Sequence, residues 1–434
     1  MGLLIGVGAS SPTFPYNEYY GIEYDVTVSN PDVTRIGKAE LHASLPCQSL
    51  MRRVLLKDDG TIGGVLNDTD STKLDTGAAA DLSGANGQVM VEMPDMYVRF
   101  EQDGNKRRTL MSLYELPGFK LWKKMYGSAY EAALDRTNSK LSSVVNTTAQ
   151  YRGGNNTSGW DDTYRSLLGK PATNINLTNF RTYARNRGSR WNCNMYEFQK
   201  RIWWMFAVEY ATLNPQKAYN ASLDSNGYHQ GGLGDGVTAI SDWNGYNSYN
   251  PVIPCGATNS LGNKTGVVTY NVLASDGETT YYAAPVPSYR GVENPFGHVW
   301  KITDGVKFLI QSASDGAKSL IYVCDDPANY TSSGVTNYRQ IGELPRSNGY
   351  VTKICHGVDG DILPTAIGGG SSTYFCDYFY TSIPDSGVSE RACFFGGNLY
   401  SEAYAGFVCA YSADSAADAG SYCGSRLCYV PAES

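Results

Sequence analysis

The chain has 434 residues, of which 42% are hydrophobic and 18% charged, and its formal net charge is −7 at pH 7. This composition is typical of a soluble globular protein with enough apolar residues for a large core and one or two domains. The acidic balance and the scattered Lys and Arg residues argue against a nucleic-acid partner, and no apolar run approaches the roughly 18 residues that span a bilayer.

The N-terminal part of the chain, residues 1–85, carries strand and turn signals. Residues 24–29 alternate apolar and polar side chains, which predicts a strand. An Asp-Gly turn at Asp59 separates two apolar runs and predicts a hairpin. Two further strands are predicted over residues 88–94 and 96–101. The beginning of the chain is therefore expected to be a β-containing region.

Helix signals are few and lie in the middle of the chain. The strongest covers residues 194–210, with Asn194 as the N-cap residue and apolar side chains at helical spacing. A second helix is predicted over 178–187. The Trp203-Trp204 pair lies beside the apolar face of the first helix, which indicates core packing rather than a ligand platform. After residue 221 no further helix is predicted, and short strands alternate with turns, as in a scaffold that displays loops.

Neither the cysteines nor the known catalytic motifs indicate an active site. The ten cysteines include no C-x-x-C pair, and the closest two, Cys423 and Cys428, have no histidine near them in sequence. Reduced thiols packed as small hydrophobic side chains are favoured over disulfides or zinc. The sequence has no nucleophile elbow, phosphate loop or zinc-protease motif. We expect no catalytic residues, no metal and no cofactor, although sequence alone does not show whether two carboxylates pair for glycoside hydrolysis.

Four stretches of the sequence carry a resemblance to a known family. They are residues 81–94, residues 143–154, residues 293–300, and the end of the chain from 394–397 to 424–427. Taken jointly, they resemble the variable proteins of diversity-generating retroelements from gut phages and prophages, whose fold is a C-type-lectin variant related to formylglycine-generating enzymes. The resemblance extends over almost the whole chain from about Arg35. It implies an α+β fold, with a C-type-lectin-like ligand-binding domain of few helices, short strands and much irregular chain over residues 86–434. Residues 1–85 would then serve attachment or oligomerisation.

The sequence departs from the chemistry of these relatives at two points. The relatives that oxidise cysteine use a closely spaced cysteine pair after the Gly-Gly, whereas here the first cysteine after Gly397 is Cys409. Sugar-binding C-type lectins hold calcium with Glu-Pro-Asn or Gln-Pro-Asp and with Trp-Asn-Asp. None of these occurs, and the order at Glu293 is Glu-Asn-Pro. Oxidase chemistry and calcium-dependent sugar binding are therefore not expected to carry over.

The resemblance also implies a variable segment over about residues 398–423, between fixed anchors at Gly396-Gly397 and at residues 424–427, which include Arg426 and Leu427. Small residues in this segment leave room, tyrosines supply contact area, and Asp and Asn supply hydrogen bonds, as in an adaptable binding surface. The simpler interpretation is that its Ala and Ser residues have no binding role and only occupy positions in an exposed loop and a pair of β-strands. Residue types that a mutated asparagine codon can encode are predicted to converge on one exposed face and bind the ligand: Asn398, Leu399, Tyr400, Ser401, Tyr404, Tyr411, Ala413, Asp414, Asp418, Gly420 and Tyr422.

A function follows from the resemblance as an expectation. It implies a non-enzymatic receptor-binding protein of a phage, placed at the tail tip or fibre of the virion. Its expected partners are a bacterial surface receptor, either protein or glycan, and other tail proteins, and the expected oligomer is a homotrimer. Residues 1–8 are too short and uncharged for a secretory signal, so synthesis in the bacterial cytoplasm without membrane insertion is expected. The alternatives are a bacterial or prophage surface adhesin and an enzyme, either a cysteine-oxidising relative or a tailspike glycanase.

Overall fold

The computed structural model describes residues 18–432, and β-structure dominates them. Strands account for 37% of the chain and helices for 13%. The predicted α+β class is therefore wrong, because the protein is mostly β. The residues after 221 carry only short apolar runs between turns, yet long-range pairing assembles them into the largest sheet of the molecule.

Twenty-eight strands, most of them short, lie in residues 18–432. Those before residue 150 are β1 (Tyr20–Asp25), β2 (Thr34–Gly37), β3 (Arg52–Leu56), β4 (Ile62–Asn67), β5 (Asp70–Leu74), β6 (Gln88–Met93), β7 (Met96–Asp103), β8 (Lys106–Ser112), β9 (Lys120–Trp122), β10 (Met125–Ser128), β11 (Ala133–Asp135) and β12 (Lys140–Ser142). Those after residue 190 are β13 (Trp191–Cys193), β14 (Tyr219–Asn220), β15 (Gln230–Gly231), β16 (Gly266–Leu273), β17 (Thr280–Tyr289), β18 (Val292–Glu293), β19 (Trp300–Gln311), β20 (Ser319–Val323), β21 (Arg339–Glu343), β22 (Gly349–His356), β23 (Asp361–Ile367), β24 (Tyr378–Tyr380), β25 (Val388–Gly396), β26 (Gly406–Tyr411), β27 (Cys423–Gly424) and β28 (Leu427–Tyr429).

The α-helices of the described residues are α1 (Ala39–Ser44), α2 (Pro46–Ser49), α3 (Leu177–Arg185), α4 (Tyr196–Tyr210) and α5 (Trp243–Asn247). The two predicted helices are confirmed by α3 and α4, whereas α5 contradicts the expectation of no helix after residue 221. None of the helices in residues 18–432 combines the length and the apolar character that crossing a membrane would require.

Helix α4 lies at the centre of the core. Trp203 and Trp204 are both fully buried, which confirms that they are packing residues. The predicted N-cap is wrong: Met195 precedes the first turn, and its side chain makes no capping hydrogen bond. The side-chain amide of Asn194 instead donates a hydrogen bond from Nδ2 to Thr303 Oγ1 at 2.8 Å. A tertiary hydrogen bond therefore replaces the local cap, and it ties the start of α4 to β19.

Three large sheets organise the molecule. The first has the order β2-β1-β8-β7-β9, and the second has the order β13-β28-β10-β6-β3-β4-β5. The third has the order β21-β20-β19-β25-β26-β24-β22-β23, with β27 added beside β19. In each of the first two sheets, a strand that precedes residue 85 pairs with a strand that follows it. In the first sheet β1 pairs with β8, and in the second β3 pairs with β6. Near the other end of the chain, β28 pairs with β10 and β13, so the C-terminal segment is integrated into the second sheet.

Most strands predicted in the first hundred residues form where the sequence places them. The strands β6 and β7 match the predictions over 88–94 and 96–101, and β3 and β4 form the hairpin around the Asp59 turn. The strand predicted over 24–29 is misplaced. Pairing of β1 with β8 ends at Asp25, because the Asp25 carboxylate accepts a hydrogen bond from the Thr27 N–H and closes a turn there.

The cysteines are packing residues. All ten are free thiols, nine of them are buried, and Cys355 is half-buried. Burial raises the pKa of the thiols it encloses, to about 12 for Cys47 and Cys428. Such thiols behave as small hydrophobic side chains, as predicted.

Candidate functional site

An open cleft lies above one end of the third sheet and has a volume of about 380 Å³. Seven of the residues around it are tyrosine or tryptophan. The lining consists of Trp243, Tyr249, Trp300, Tyr380, Phe394, Asn398, Tyr400, Ser401, Tyr411, Tyr422 and Cys423. A concave site of this size, lined by aromatic rings and a few polar groups, is typical of ligand-binding pockets.

Cross-strand register brings three of these rings together. Tyr411 on β26 lies directly opposite Phe394 on β25 and, on its other side, opposite Tyr380 on β24. Residues that lie opposite each other in neighbouring strands project from the same face of a sheet. The Phe394 and Tyr411 rings therefore meet edge to face, with centroids 5.6 Å apart.

Trp300, at the start of β19, forms the floor of the cleft. The strand places Ile302 opposite Phe394, and Trp300 lies two residues before Ile302 on the same face. The Trp300 ring contacts Tyr411 and Tyr380, with centroids 5.7 Å and 6.0 Å away. Only 6% of Trp300 is exposed, so the ring is packed from below and little of it is accessible in the cleft.

The loop after β25 forms one wall of the cleft. Gly396 and Gly397 both have positive φ angles, 101° and 77°. A Cβ on Gly397 would lie 2.9 Å from the Cβ of Ala405, so the loop needs glycine there. This confirms that the Gly-Gly anchor serves a turn and a close approach of the backbone.

Asn398 and Ser401 fold the loop into a compact turn. The N–H of Asn398 donates to Ser401 Oγ at 2.9 Å, and the N–H of Tyr400 donates to Asn398 Oδ1 at 3.0 Å. Both side chains line the cleft but are already used in this local network. The turn leaves the Tyr400 ring 63% exposed at the rim.

A second loop, residues 412–422, reaches the cleft at its last residue, Tyr422, and contains several of the predicted residues. Tyr411 OH donates to Asp414 Oδ1 at 3.1 Å, which fixes the ring beside the loop. Asp418 accepts hydrogen bonds from the N–H and the hydroxyl of Ser415 at 2.6 Å and 2.8 Å, so its carboxylate closes a turn. The Tyr422 C=O accepts from the Trp300 N–H at 2.9 Å, which attaches the end of this loop to β19.

A tyrosine cluster extends the aromatic surface beyond the cleft. It consists of Tyr350, Tyr378 and Tyr404, and we call it the tyrosine extension. The ring of Tyr404 lies 4.5 Å from Tyr378 and 5.5 Å from Tyr350. Tyr380, which lines the cleft, lies 4.7 Å from Tyr378. Tyr380 therefore joins the two surfaces into one band of rings.

The cleft itself is uncharged. Among the residues that the structure describes, none that lines it carries a charge. Burial raises the pKa of Tyr422 to about 12 and also raises that of Tyr411, so both hydroxyls keep their protons at neutral pH. Burial raises the pKa of the neighbouring Asp414, which Arg391 partly opposes. The walls can therefore offer neutral hydroxyl groups and ring faces to a ligand.

A buried group of charges supports the base of the cleft. Glu131 pairs with Lys301 at 2.8 Å and accepts a hydrogen bond from Nδ1 of His298. Burial alone would raise the pKa of Glu131, but Lys301 and His298 outweigh it and lower the pKa to about 2. His298 Nε2 accepts from the N–H groups of Val252 and Ile253, so the proton of the neutral ring lies on Nδ1.

This buried group is connected to the cleft through the backbone. The Leu399 N–H donates to the His298 C=O at 3.1 Å, and the Gly297 N–H donates to the Gly396 C=O at 2.9 Å. Lys301 Nζ also donates to the Gly297 C=O at 2.6 Å. The charges are fully buried, so they have a positioning role and hold the Gly-Gly loop against β19.

The predicted anchor after the variable segment belongs to the scaffold. Arg426 is buried and donates to the C=O of Asn294 at 2.6 Å and to the C=O of Ser128 at 3.2 Å. Leu427 is fully buried in β28. The scaffold role predicted for both residues is confirmed.

The structure brings five of the eleven predicted residues to the cleft: Asn398, Tyr400, Ser401, Tyr411 and Tyr422. Tyr404 lies next to them in the tyrosine extension, and Asp414 contacts the cleft through Tyr411. Ala413 and Asp418 lie in the second loop, outside the lining, half-buried and exposed respectively.

Three of the predicted residues are buried rather than exposed. Ser401 is only 4% exposed although it lines the cleft, and two others lie outside the cleft. Leu399 is fully buried in an apolar cluster with Trp243 and Val299. Gly420 is buried, and a Cβ there would lie 2.5 Å from the Tyr422 ring. Both are packing positions inside the segment that was predicted to be variable.

Sequence reasoning missed the residues that come from elsewhere in the chain. They are Tyr350 and Tyr378 of the tyrosine extension and, in the cleft, Trp243, Tyr249, Trp300, Tyr380 and Phe394. Within the predicted segment, Cys423 was also missed. The excess of 33 Tyr over 13 Phe was a signal that tyrosines serve recognition, but it does not say which ones.

No protein family and no curated protein matches the sequence. The structure is similar to that of PvdO from Pseudomonas aeruginosa, with 10% identity and a TM-score of 0.32 over 81% of this chain and 100% of that chain. It is also similar to the U1 and P3c variants of the Major Tropism Determinant, both at 12% identity, with TM-scores of 0.27 and 0.28. Those two similarities cover 87% of this chain and 71% of each of the other chains. At these TM-scores the likeness does not assign a fold family, and the C-type-lectin-like fold stays a prediction.

Proposed function

We propose that this chain is a receptor-binding protein that holds a ligand of the bacterial surface in its aromatic cleft. The observation that carries the proposal is the convergence of Tyr400, Tyr411 and Tyr422 with Trp300 around one open, uncharged cavity. Tyrosine and tryptophan supply large contact areas with few rotatable bonds, so little conformational entropy is lost when they bind.

The position of the cleft supports this function. Its floor consists of strand residues of a large sheet, and loop residues and Trp243 of α5 surround that floor. Side-chain and backbone hydrogen bonds attach the two loops around residues 398–405 and 412–422 to the scaffold. Loops on a rigid scaffold can change sequence with little effect on the fold. The arrangement suits a surface that is diversified while the scaffold remains constant.

The biological setting rests on the resemblance seen in the sequence. We propose that the protein belongs to a phage virion, at the tail tip or fibre, and that residues 1–85 contribute to attachment or to a homotrimer. Several copies on one particle would raise the apparent affinity of a weak single site. The predicted absence of enzymatic activity is part of this proposal.

A cell-binding assay tests the proposal. Fluorescently labelled protein is applied to a panel of gut bacterial strains, and bound fluorescence is compared for the wild type, Tyr400→Ser and Tyr114→Ser. Tyr400 and Tyr114 are 63% and 64% exposed, but only Tyr400 lines the cleft. We expect some strains to bind the wild type and Tyr114→Ser equally, with Tyr400→Ser weaker by about tenfold or more, as when a contact tyrosine is truncated. Binding to no strain, or equal binding by both variants, would count against the proposal.

A further inference from the structure

We propose that the ligand is a neutral polysaccharide whose chain runs from the aromatic cleft onto the tyrosine extension. This inference rests on the proposed function and specifies the chemistry of its ligand. It follows from the lining of the cleft, from the charges around its rim and from the continuity of the ring surface.

The lining has the two properties that a sugar ring requires. A sugar presents apolar C–H groups on its faces and hydroxyl groups around its edge, so it packs against aromatic faces and hydrogen-bonds at its rim. The cleft offers seven Tyr or Trp rings and a set of Tyr hydroxyls, and no Leu, Ile, Val or Met is among its lining residues in the described chain. The Tyr411 hydroxyl is already bonded to Asp414, but an aliphatic side chain of a protein ligand would offer no partner to the other hydroxyls, which costs binding energy.

The charges near the cleft disfavour an anionic glycan. Asp414 is bonded to Tyr411, the exposed Asp418 lies close enough to raise the pKa of Asp414, and the exposed Glu402 directly follows Ser401 of the cleft wall. Arg391 opposes Asp414 on one side. The two exposed carboxylates, Asp418 and Glu402, disfavour uronate, sialate or phosphate groups near the cleft, whereas a neutral sugar is unaffected.

The shape favours a thin chain over a flat protein surface. A flat surface would reach Tyr400 and Tyr404 at the rim, but it would not reach Trp300, which is only 6% exposed at the floor. A sugar chain is narrow enough to enter. From Tyr380 the rings continue through Tyr378 to Tyr404, with centroid separations of 4.7 Å and 4.5 Å. Tyr380 and Tyr404 are themselves 6.3 Å apart, so these rings form a compact patch beside the cleft, and the next units of a sugar chain can pack on it.

Competition with separated polysaccharides tests the inference. Surface polysaccharide is extracted from a strain that binds the protein and is divided by anion exchange into a neutral and an acidic fraction. We expect the neutral fraction to reduce cell binding by about tenfold or more and the acidic fraction to leave it unchanged. Competition by the acidic fraction alone, or by neither fraction, would overturn the inference while the proposed function stands. If no strain binds the protein, the proposed function itself fails.

Ionic strength gives an independent readout. Because no described lining residue is charged, raising NaCl from about 0.1 M to about 1 M should change binding of the neutral fraction by less than about twofold. Weakening by about tenfold or more would mean that charge contacts dominate, which contradicts a neutral ligand.

The tyrosine extension is tested by chain length. Tyr404→Ser should weaken binding of the long neutral chains by about tenfold, while short oligosaccharides made from them by partial acid hydrolysis should bind within about twofold of the wild type. Tyr114→Ser is the matched control and should change neither. Tyr404 is 40% exposed, so the variant should fold, and a melting curve confirms this. Equal binding of long chains by Tyr404→Ser and the wild type would overturn the assigned path.

Discussion

Leu399 and Tyr400 are neighbours in the chain with opposite environments. Leu399 is fully buried, and its C=O accepts a hydrogen bond from the Ile240 N–H at 2.9 Å, whereas Tyr400 is 63% exposed over the cleft. The buried leucine fixes the loop to the scaffold, and the exposed tyrosine uses that fixed position to contact a ligand.

Leu399→Ala should therefore destabilise the protein. Loss of a fully buried leucine costs about 2–5 kcal/mol, because the cavity relaxes only partly. Tyr400→Ser should stay within about 0.5 kcal/mol of the wild type, since exposed substitutions rarely change stability. Urea denaturation of both variants measures the difference. Equal free energies of unfolding would show that Leu399 is not an anchor.

Gly397→Ala should distort the Gly-Gly loop. The residue has φ of 77°, and the added Cβ would lie 2.9 Å from both Ala405 Cβ and Ser401 Oγ. We expect a loss of about 1–3 kcal/mol from backbone strain, with more from the clash. Gly277→Ala is the control, because Gly277 has φ of 75° but no atom within 4 Å of its Cβ position. The melting temperature of Gly397→Ala should be lower than that of Gly277→Ala. The reverse order would contradict the close approach of Gly397 to Ala405 and Ser401.

Asp377→Asn should stabilise the protein at neutral pH. Asp377 is fully buried next to β24. Its Oδ2 accepts from the Val408 N–H at 2.7 Å, and its Oδ1 has no hydrogen-bond partner. Burial raises the pKa of this carboxyl well above its ordinary value of 3.8. The folded state therefore binds the proton more tightly than the unfolded state, and stability is lost as pH rises from about 4 through the folded pKa.

The asparagine variant lacks this titration, so its stability relative to the wild type should increase from pH 4 to pH 7. We expect a gain of about 1–3 kcal/mol at pH 7, because the neutral amide avoids the cost of a buried carboxyl whose ionisation burial opposes, at about 1.4 kcal/mol for each unit by which the pKa is raised. Asp385→Asn, which changes an exposed carboxylate, serves as the control and should show no such trend. The melting temperatures of Asp377→Asn and the wild type are measured from pH 4 to pH 7. If the two curves of melting temperature against pH are parallel, the Asp377 carboxyl does not destabilise the fold as pH rises.

Thiol titration should reveal ten cysteines after denaturation and almost none before it. Nine thiols are buried, and burial raises the pKa of the half-buried Cys355 to about 12, so little reactive thiolate is present at neutral pH. An aromatic disulfide reagent, without reductant, measures both states. Fewer than ten reactive thiols in denaturant would indicate disulfide bonds, and rapid reaction of several thiols in the native protein would contradict their burial.

Local patterns in the sequence predicted several parts of the fold correctly. The helical spacing around Trp203 and Trp204, the apolar run of β6 and the alternation of β7 each depend on a few neighbouring residues, so the sequence contains them directly. The fold class was wrong because the strands after residue 221, which reach 12 residues in β19, form by pairing with distant partners rather than by local propensity. The N-cap at Asn194 failed for a related reason, since Thr303 offered its side chain a tertiary partner.

The candidate site shows the same division. By itself, the sequence determined that the segment around residues 398–423 contains exposed tyrosines near a Gly-Gly turn, because composition and glycine placement are local properties. Only the tertiary structure decided that Trp300, Phe394 and Tyr380 join Tyr411 in one cleft and that Leu399 faces the core. The register of neighbouring strands sets which residues lie opposite each other, and the packing of the core sets that register.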